Sequence, residues 1–144
     1  MIYRSIRELV EDQRVVSVMP DASVHQAAVL MTQHRIGALP VMRGTDLIGI
    51  FTERDLVSRV VTPRLDPERT PVVQVMTATP ETIAPDQPLY EALNRMHDHG
   101  FRHLPVMDGE HLLTMLSLRD IPAEYRLLRE KWLEAHQPVG TVAA

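Results

Sequence analysis

The feature that most constrains this chain is that it repeats itself. Displaced by 65 residues, Pro20 to Asp55 overlies Pro85 to Asp120 across 36 positions without a gap, and 13 of those positions are identical. Average composition would give about two by chance, so the chain contains one structural unit twice. The shared residues fall in blocks: Pro20-Asp21 and Pro85-Asp86, Leu39 to Met42 and Leu104 to Met107, Gly44 and Gly109, and Arg54-Asp55 and Arg119-Asp120.

Each unit opens with a short extended piece, Val15 to Val18 or Glu81 to Ile83, and a helix follows. Val24, Ala27, Ala28 and Met31, and again Leu89, Ala92, Leu93 and Met96, recur at i, i+3, i+4 and i+7, which lays one apolar stripe along each helix. Ser23 with Gln26 three residues later is a capping-box start. Two apolar runs separated by a glycine turn then read as buried strands, Leu39–Met42 with Leu47–Phe51 and Leu104–Met107 with Leu112–Leu116. A second helix starts at Thr52 or Ser117, so the unit is β-α-β-β-α, twice, in an α/β (α+β) fold. The expected division is 1–61 for the first repeat with an N-terminal packing helix over Ser5–Glu11, then a linker at 62–71. The second repeat runs over 72–122 and a C-terminal helix and tail over 123–144. Three prolines and several charges mark the linker, and one unit alone buries too little surface for comfortable stability, so the two must pair.

Charge and composition narrow the partners. Fifteen Lys and Arg against nineteen Asp and Glu leave a formal charge of -4, the wrong balance for a duplex-binding surface. The absence of cysteine removes disulfides, zinc-thiolate sites and thiol catalysis. No apolar run reaches a membrane span, and the opening MIYRSIREL lacks the core of a secretory signal, which together point to a cytoplasmic protein.

The doubled pattern Gly-Ala-Leu-Pro-Val … Thr-Glu-Arg-Asp and Arg-His-Leu-Pro-Val … Ser-Leu-Arg-Asp resembles the cystathionine beta-synthase (CBS) domain pair, or Bateman module, over roughly residues 5 to 121. The resemblance implies a pseudo-twofold pair of repeats, assembly as a homodimer, and adenosine compounds held in two clefts between the repeats. It places Thr52, Asp55 and Ala38 in a first cleft facing Glu81, Thr82 and Arg102, and Ser117, Asp120 and His103 in a second facing Val16 and Gly37. Arg54 and Arg119, next to the hydroxyl-x-x-Asp motifs, are candidates for phosphate contacts or for solvent-exposed first-turn positions.

The chemistry of Thr52-x-x-Asp55 and Ser117-x-x-Asp120 suits a nucleotide. The carboxylate can accept from ribose hydroxyls, while the hydroxyl and the free N–H groups of a helix start can receive phosphate oxygens. The competing reading is plain helix capping. The clefts differ, since Ala38 answers to His103 and Gly37 to Arg102; the imidazole favours the Asp120 side, and the permanent charge of Arg102, which the resemblance points toward the Asp55 side, counts against it. His97, His99, His103 and His111 lack the carboxylate partners of a metal site, and His97 and His99 before Gly100 suit a helix C-terminus. Met31, Met42, Met96, Met107 and Met115 are read as core, with some available to cup an adenine.

The expected function is therefore a non-catalytic regulatory module binding AMP, ADP or ATP, without a required cofactor, metal, nucleic acid or membrane. The alternatives are an interaction module with empty clefts, or a binder of NADH or S-adenosylmethionine. No nucleophile-base pair or second carboxylate accompanies the aspartates, which argues against an enzyme. Tyr125, Leu128, Trp132 and Ala135 share one face of the tail helix, which either folds back on its own repeat or meets a second chain, the dimer contact being the favoured reading.

Overall fold

The computed structural model describes residues 5–11 and 13–135, and for Trp132 the backbone alone. Its elements are α1 (Ile6–Val10), α2 (Val24–His34), β1 (Ala38–Arg43), β2 (Asp46–Thr52), α3 (Glu53–Asp55), α4 (Val72–Val75), β3 (Thr77–Ala78), α5 (Leu89–His99), β4 (His103–Asp108), β5 (His111–Ser117) and α6 (Ala123–Ala135). Both hairpins form as the apolar runs require. β1 pairs antiparallel with β2 and β4 with β5, each with a bulge at the same place, Val41/Met42 and Val106/Met107, and each turning through a glycine at φ 61°. The opening extended pieces shrink to one parallel bridge apiece, Val18 to Val41 and Ile83 to Val106.

The helices start and stop where their chemistry dictates. Ser23 and Gln26 form the reciprocal capping box at 3.0 Å in both directions. α2 ends on Arg35 in the left-handed conformation (φ 53°), and α5 ends on Gly100 at the equivalent position (φ 71°). After β2, α3 runs on as a π-helical stretch, Leu56–Val61, in which the N–H and hydroxyl of Thr62 both reach the Val57 carbonyl. The second repeat departs from this plan. Ser117 starts only a 3-10 turn, Leu118–Asp120, because Pro122 forces Ile121 into an extended conformation and the helix restarts as α6.

Two cores result. Leu39, Val41 and Phe51 anchor one, and Leu104, Val106 and Leu116 the other. Packing crosses the chain-order boundaries. Ile6 and Val10 of α1 sit in the second core, while Val72 and Val75 of α4 sit in the first. The N–H groups of Ile6 and Arg7 bind the Gln87 and Pro85 carbonyls, and those of Val72 and Val73 bind the equivalent Ala22 and Pro20 carbonyls, all at 2.8–3.0 Å. β5 packs against both β1 and β2, which closes the pair. Among the described residues no helix is long and apolar enough to cross a membrane.

Candidate functional site

The two Asp motifs share one capping bond and have opposite surroundings. At each, the carboxylate accepts the N–H of the hydroxyl residue, Thr52 to Asp55 at 3.0 Å and Ser117 to Asp120 at 2.8 Å, which closes a capping box. Asp55 is then used up. Thr52 Oγ1 donates to its Oδ2 at 3.1 Å, Thr77 Oγ1 donates to both oxygens at 3.1 and 3.3 Å, and Arg59 Nε lies 3.7 Å away, leaving the residue 5% exposed. Asp120 keeps Oδ1 without a hydrogen-bond partner among the described residues.

The cause lies one strand away. β3 pairs with β2 at Gly49 and Ile50, and a Cβ on Gly49 would stand 2.8 Å from the Thr77 carbonyl oxygen and 2.5 Å from the Met76 sulfur. Only glycine admits that approach, and it brings Thr77 onto Asp55. The equivalent of Gly49 is Thr114, whose hydroxyl donates to the Gln13 side chain at 3.3 Å, and there the segment Gln13–Val16 forms no strand on β5.

What remains at Asp120 is a cleft of about 650 Å³ between the repeats. Ser117, Asp120, His103, Val16 and Gly37 all line it, as the resemblance implies. Arg119 joins them. Ala38 and Arg102, assigned by the resemblance to the Asp55 side, line this cleft as well: β1 and β4 begin at its wall, and each of these two residues lies at or beside a strand start. Thr52, Arg54, Glu81 and Thr82 do not line it; Arg54 and Glu81 are exposed, and the Thr82 carbonyl accepts from Arg95 at 2.6 Å. Of the methionines, Met115 reaches the cleft, while Met31 and Met96 are core.

Sequence reasoning missed Arg14, Arg35 and Arg126. Arg14 precedes the extended piece, Arg35 is the left-handed helix end where the second repeat has Gly100, and Arg126 comes from α6. A non-glycine residue where glycine would be less strained was the one available signal, and it pointed to Arg35. With Arg102 and Arg119 they make five arginines against two carboxylates, Glu53 and Asp120, and none of the five forms an ion pair among the described residues. Burial pushes the His103 imidazole below its ordinary 6.5. Arg102 and Arg119 add to that, while Glu53 and Asp120 oppose it, so the ring is neutral at pH 7. No group of three or more His, Asp or Glu placed to hold a metal occurs among the described residues.

The CBS domain family matches residues 6–62 and 72–124, one match per repeat. The chain belongs to the CBS domain family. This CBS pair, a regulatory module, is 33% identical over 117 residues to the CBS domain-containing protein YhcV of Bacillus subtilis, covering 81% of this chain and 82% of that one. A CBS domain-containing protein of Arabidopsis thaliana is 40% identical over 100 residues, 69% of this chain, but the chain spans only 18% of that relative's length. Among solved structures, a CBS domain protein from Pyrobaculum aerophilum complexed with AMP superposes with a TM-score of 0.78 at 26% identity, covering 88% of this chain and 97% of that one.

Proposed function

We propose that this CBS pair is a non-catalytic regulatory module of the cytoplasm that binds an adenine nucleotide, AMP, ADP or ATP, in the Asp120 cleft. The observation that carries the reading is the union, in one cleft of ligand size, of five arginines without ion-pair partners and a carboxylate with one oxygen unbonded among the described residues. In an acidic chain such a concentration of unpaired cations favours a polyanion. Asp120 Oδ1 accepts from the ribose hydroxyls, Arg119 and its neighbours donate to phosphate oxygens, and Val16, Ala38 and Met115 supply apolar surface for the base. The AMP complex of the similar Pyrobaculum protein supports the choice of ligand class.

Occupancy acts by preferring one arrangement of the repeats, and a second copy of the chain is the expected first partner in a homodimer. Asp55 serves structure in this reading. Thermal-shift measurement with AMP, ADP, ATP, NADH and S-adenosylmethionine tests it. A nucleotide at a hundred times its Kd adds about 2.7 kcal/mol to native-state stability. A midpoint unmoved by every compound at millimolar concentration refutes nucleotide binding and leaves a module for protein interaction.

A further inference from the structure

One arginine of the cleft stands outside the repeat and outside the matched family residues, which end at 124. Arg126 belongs to α6, the helix that Pro122 separates from the Ser117 turn, and it has no counterpart 65 residues earlier in the identical blocks. Its side chain reaches into the cleft with its Nε buried and without a hydrogen-bond partner among the described residues. No protein acceptor among the described residues holds that nitrogen, so the guanidinium lining the cleft is not committed through Nε, and a phosphate in the cleft is an acceptor its outer fork fits.

The same helix is fixed to the second repeat on either side of this residue. Tyr125 packs against the second core, and Arg129 Nε donates to Asn94 Oδ1 on α5 at 2.9 Å. Leu127 and Leu128, the next residues along, are 55% and 48% exposed. Among the described residues, Arg126 is therefore the cleft cation whose engagement bears on α6 and the apolar surface beside it.

We propose that Arg126 is a phosphate-binding residue of the Asp120 cleft and that, through it, phosphate occupancy steadies α6. The proposal rests on the nucleotide reading above and adds to it a residue that the repeat pattern does not supply. Five arginines against two carboxylates match a di- or triphosphate better than a monophosphate, so ATP is the probe.

Calorimetric titration of ATP is compared in the wild type, Arg126→Gln and Arg126→Lys, with adenosine measured by displacement of ATP. The expected result is a loss of about tenfold or more in ATP affinity for Arg126→Gln, a smaller loss for Arg126→Lys, and adenosine affinity within twofold of wild type in both. Amide exchange across Ala123–Ala135 slows on ATP addition in the wild type, and that slowing is absent in Arg126→Gln. Unchanged ATP affinity in Arg126→Gln, or equal losses for ATP and adenosine, overturns a phosphate role and makes Arg126 a packing residue. Failure of the wild type to bind ATP while AMP binds overturns the proposal and leaves the nucleotide reading standing; failure with AMP, ADP and ATP alike removes both.

Discussion

Replacing the two equivalent aspartates one at a time should produce opposite defects. Asp55→Ala removes the acceptor of the Thr52 N–H, the Thr52 hydroxyl and the Thr77 hydroxyl, and takes away the buried carboxylate that faces Arg59. Loss of the cap costs about 1 kcal/mol and each buried donor left unpaired adds a comparable amount, giving a total of about 2–4 kcal/mol. In a domain of this size that lowers the thermal midpoint by roughly 6–15 °C. Nucleotide affinity should stay near wild type, since the residue lines no part of the Asp120 cleft. Asp120→Ala removes one 2.8 Å capping bond at a half-buried position and costs less than about 1 kcal/mol of stability. It also removes the ribose acceptor, so affinity should fall by about 1.5–3 kcal/mol, roughly ten- to a hundredfold. Differential scanning calorimetry and isothermal titration of both variants read the two effects separately. Equal destabilisation with equal loss of binding would refute the division of labour, because it would mean that Thr77 does not seal the first motif.

The remaining predictions concern protonation and assembly. Because burial lowers His103 in the fold, its contribution to stability is complete above about pH 6.5 and declines as the pH falls below that value, since the unfolded chain then binds the extra proton. A phosphate beside the ring pulls its pKa back up, so ATP binding should take up more protons in the wild type than in His103→Gln; identical proton uptake, read from calorimetric heats in buffers of different ionisation enthalpy, would remove His103 from the phosphate site. Light scattering at micromolar concentration should give twice the chain mass, with the exposed Leu127 and Leu128 of α6 as the surface a second copy covers; a monomer would reject the homodimer.

Much of this was legible because it is periodic. The hairpins, glycine turns, apolar helix stripes and capping boxes each depend on residues within one unit, and a signal seen twice 65 residues apart is hard to mistake. That Ser117, Asp120, His103, Val16 and Gly37 line one cleft was implied by the resemblance to the CBS pair rather than by the periodicity. Which motif stays open was not legible, because it turns on a backbone approach. The exchange of Gly49 for Thr114 looks like an ordinary strand difference until Met76 and Thr77 are seen lying on the glycine. The sequence argument favoured the Asp120 side for its imidazole, whereas the larger asymmetry is that Thr77 and Arg59 occupy the other carboxylate. Arg126 was not legible because it belongs to no repeat and sits in a helix whose aromatic and leucine residues pointed to a dimer contact. The Trp132 side chain, central to that suggestion, lies outside the described residues.

The crossed placement of α1 and α4 has a consequence for how the chain can be divided. Each repeat's leading helix completes the other repeat's core, so a cut in the exposed linker near 62 yields two fragments that each carry an apolar helix with its socket on the opposite piece. Such fragments have reason to bind each other and little reason to fold apart. Expressed separately and mixed, they should form a complementation pair, since a break near 62 leaves the interlock to hold the halves in register while the Pro67 and Thr70 carbonyls still receive the N–H groups of His25 and Val24.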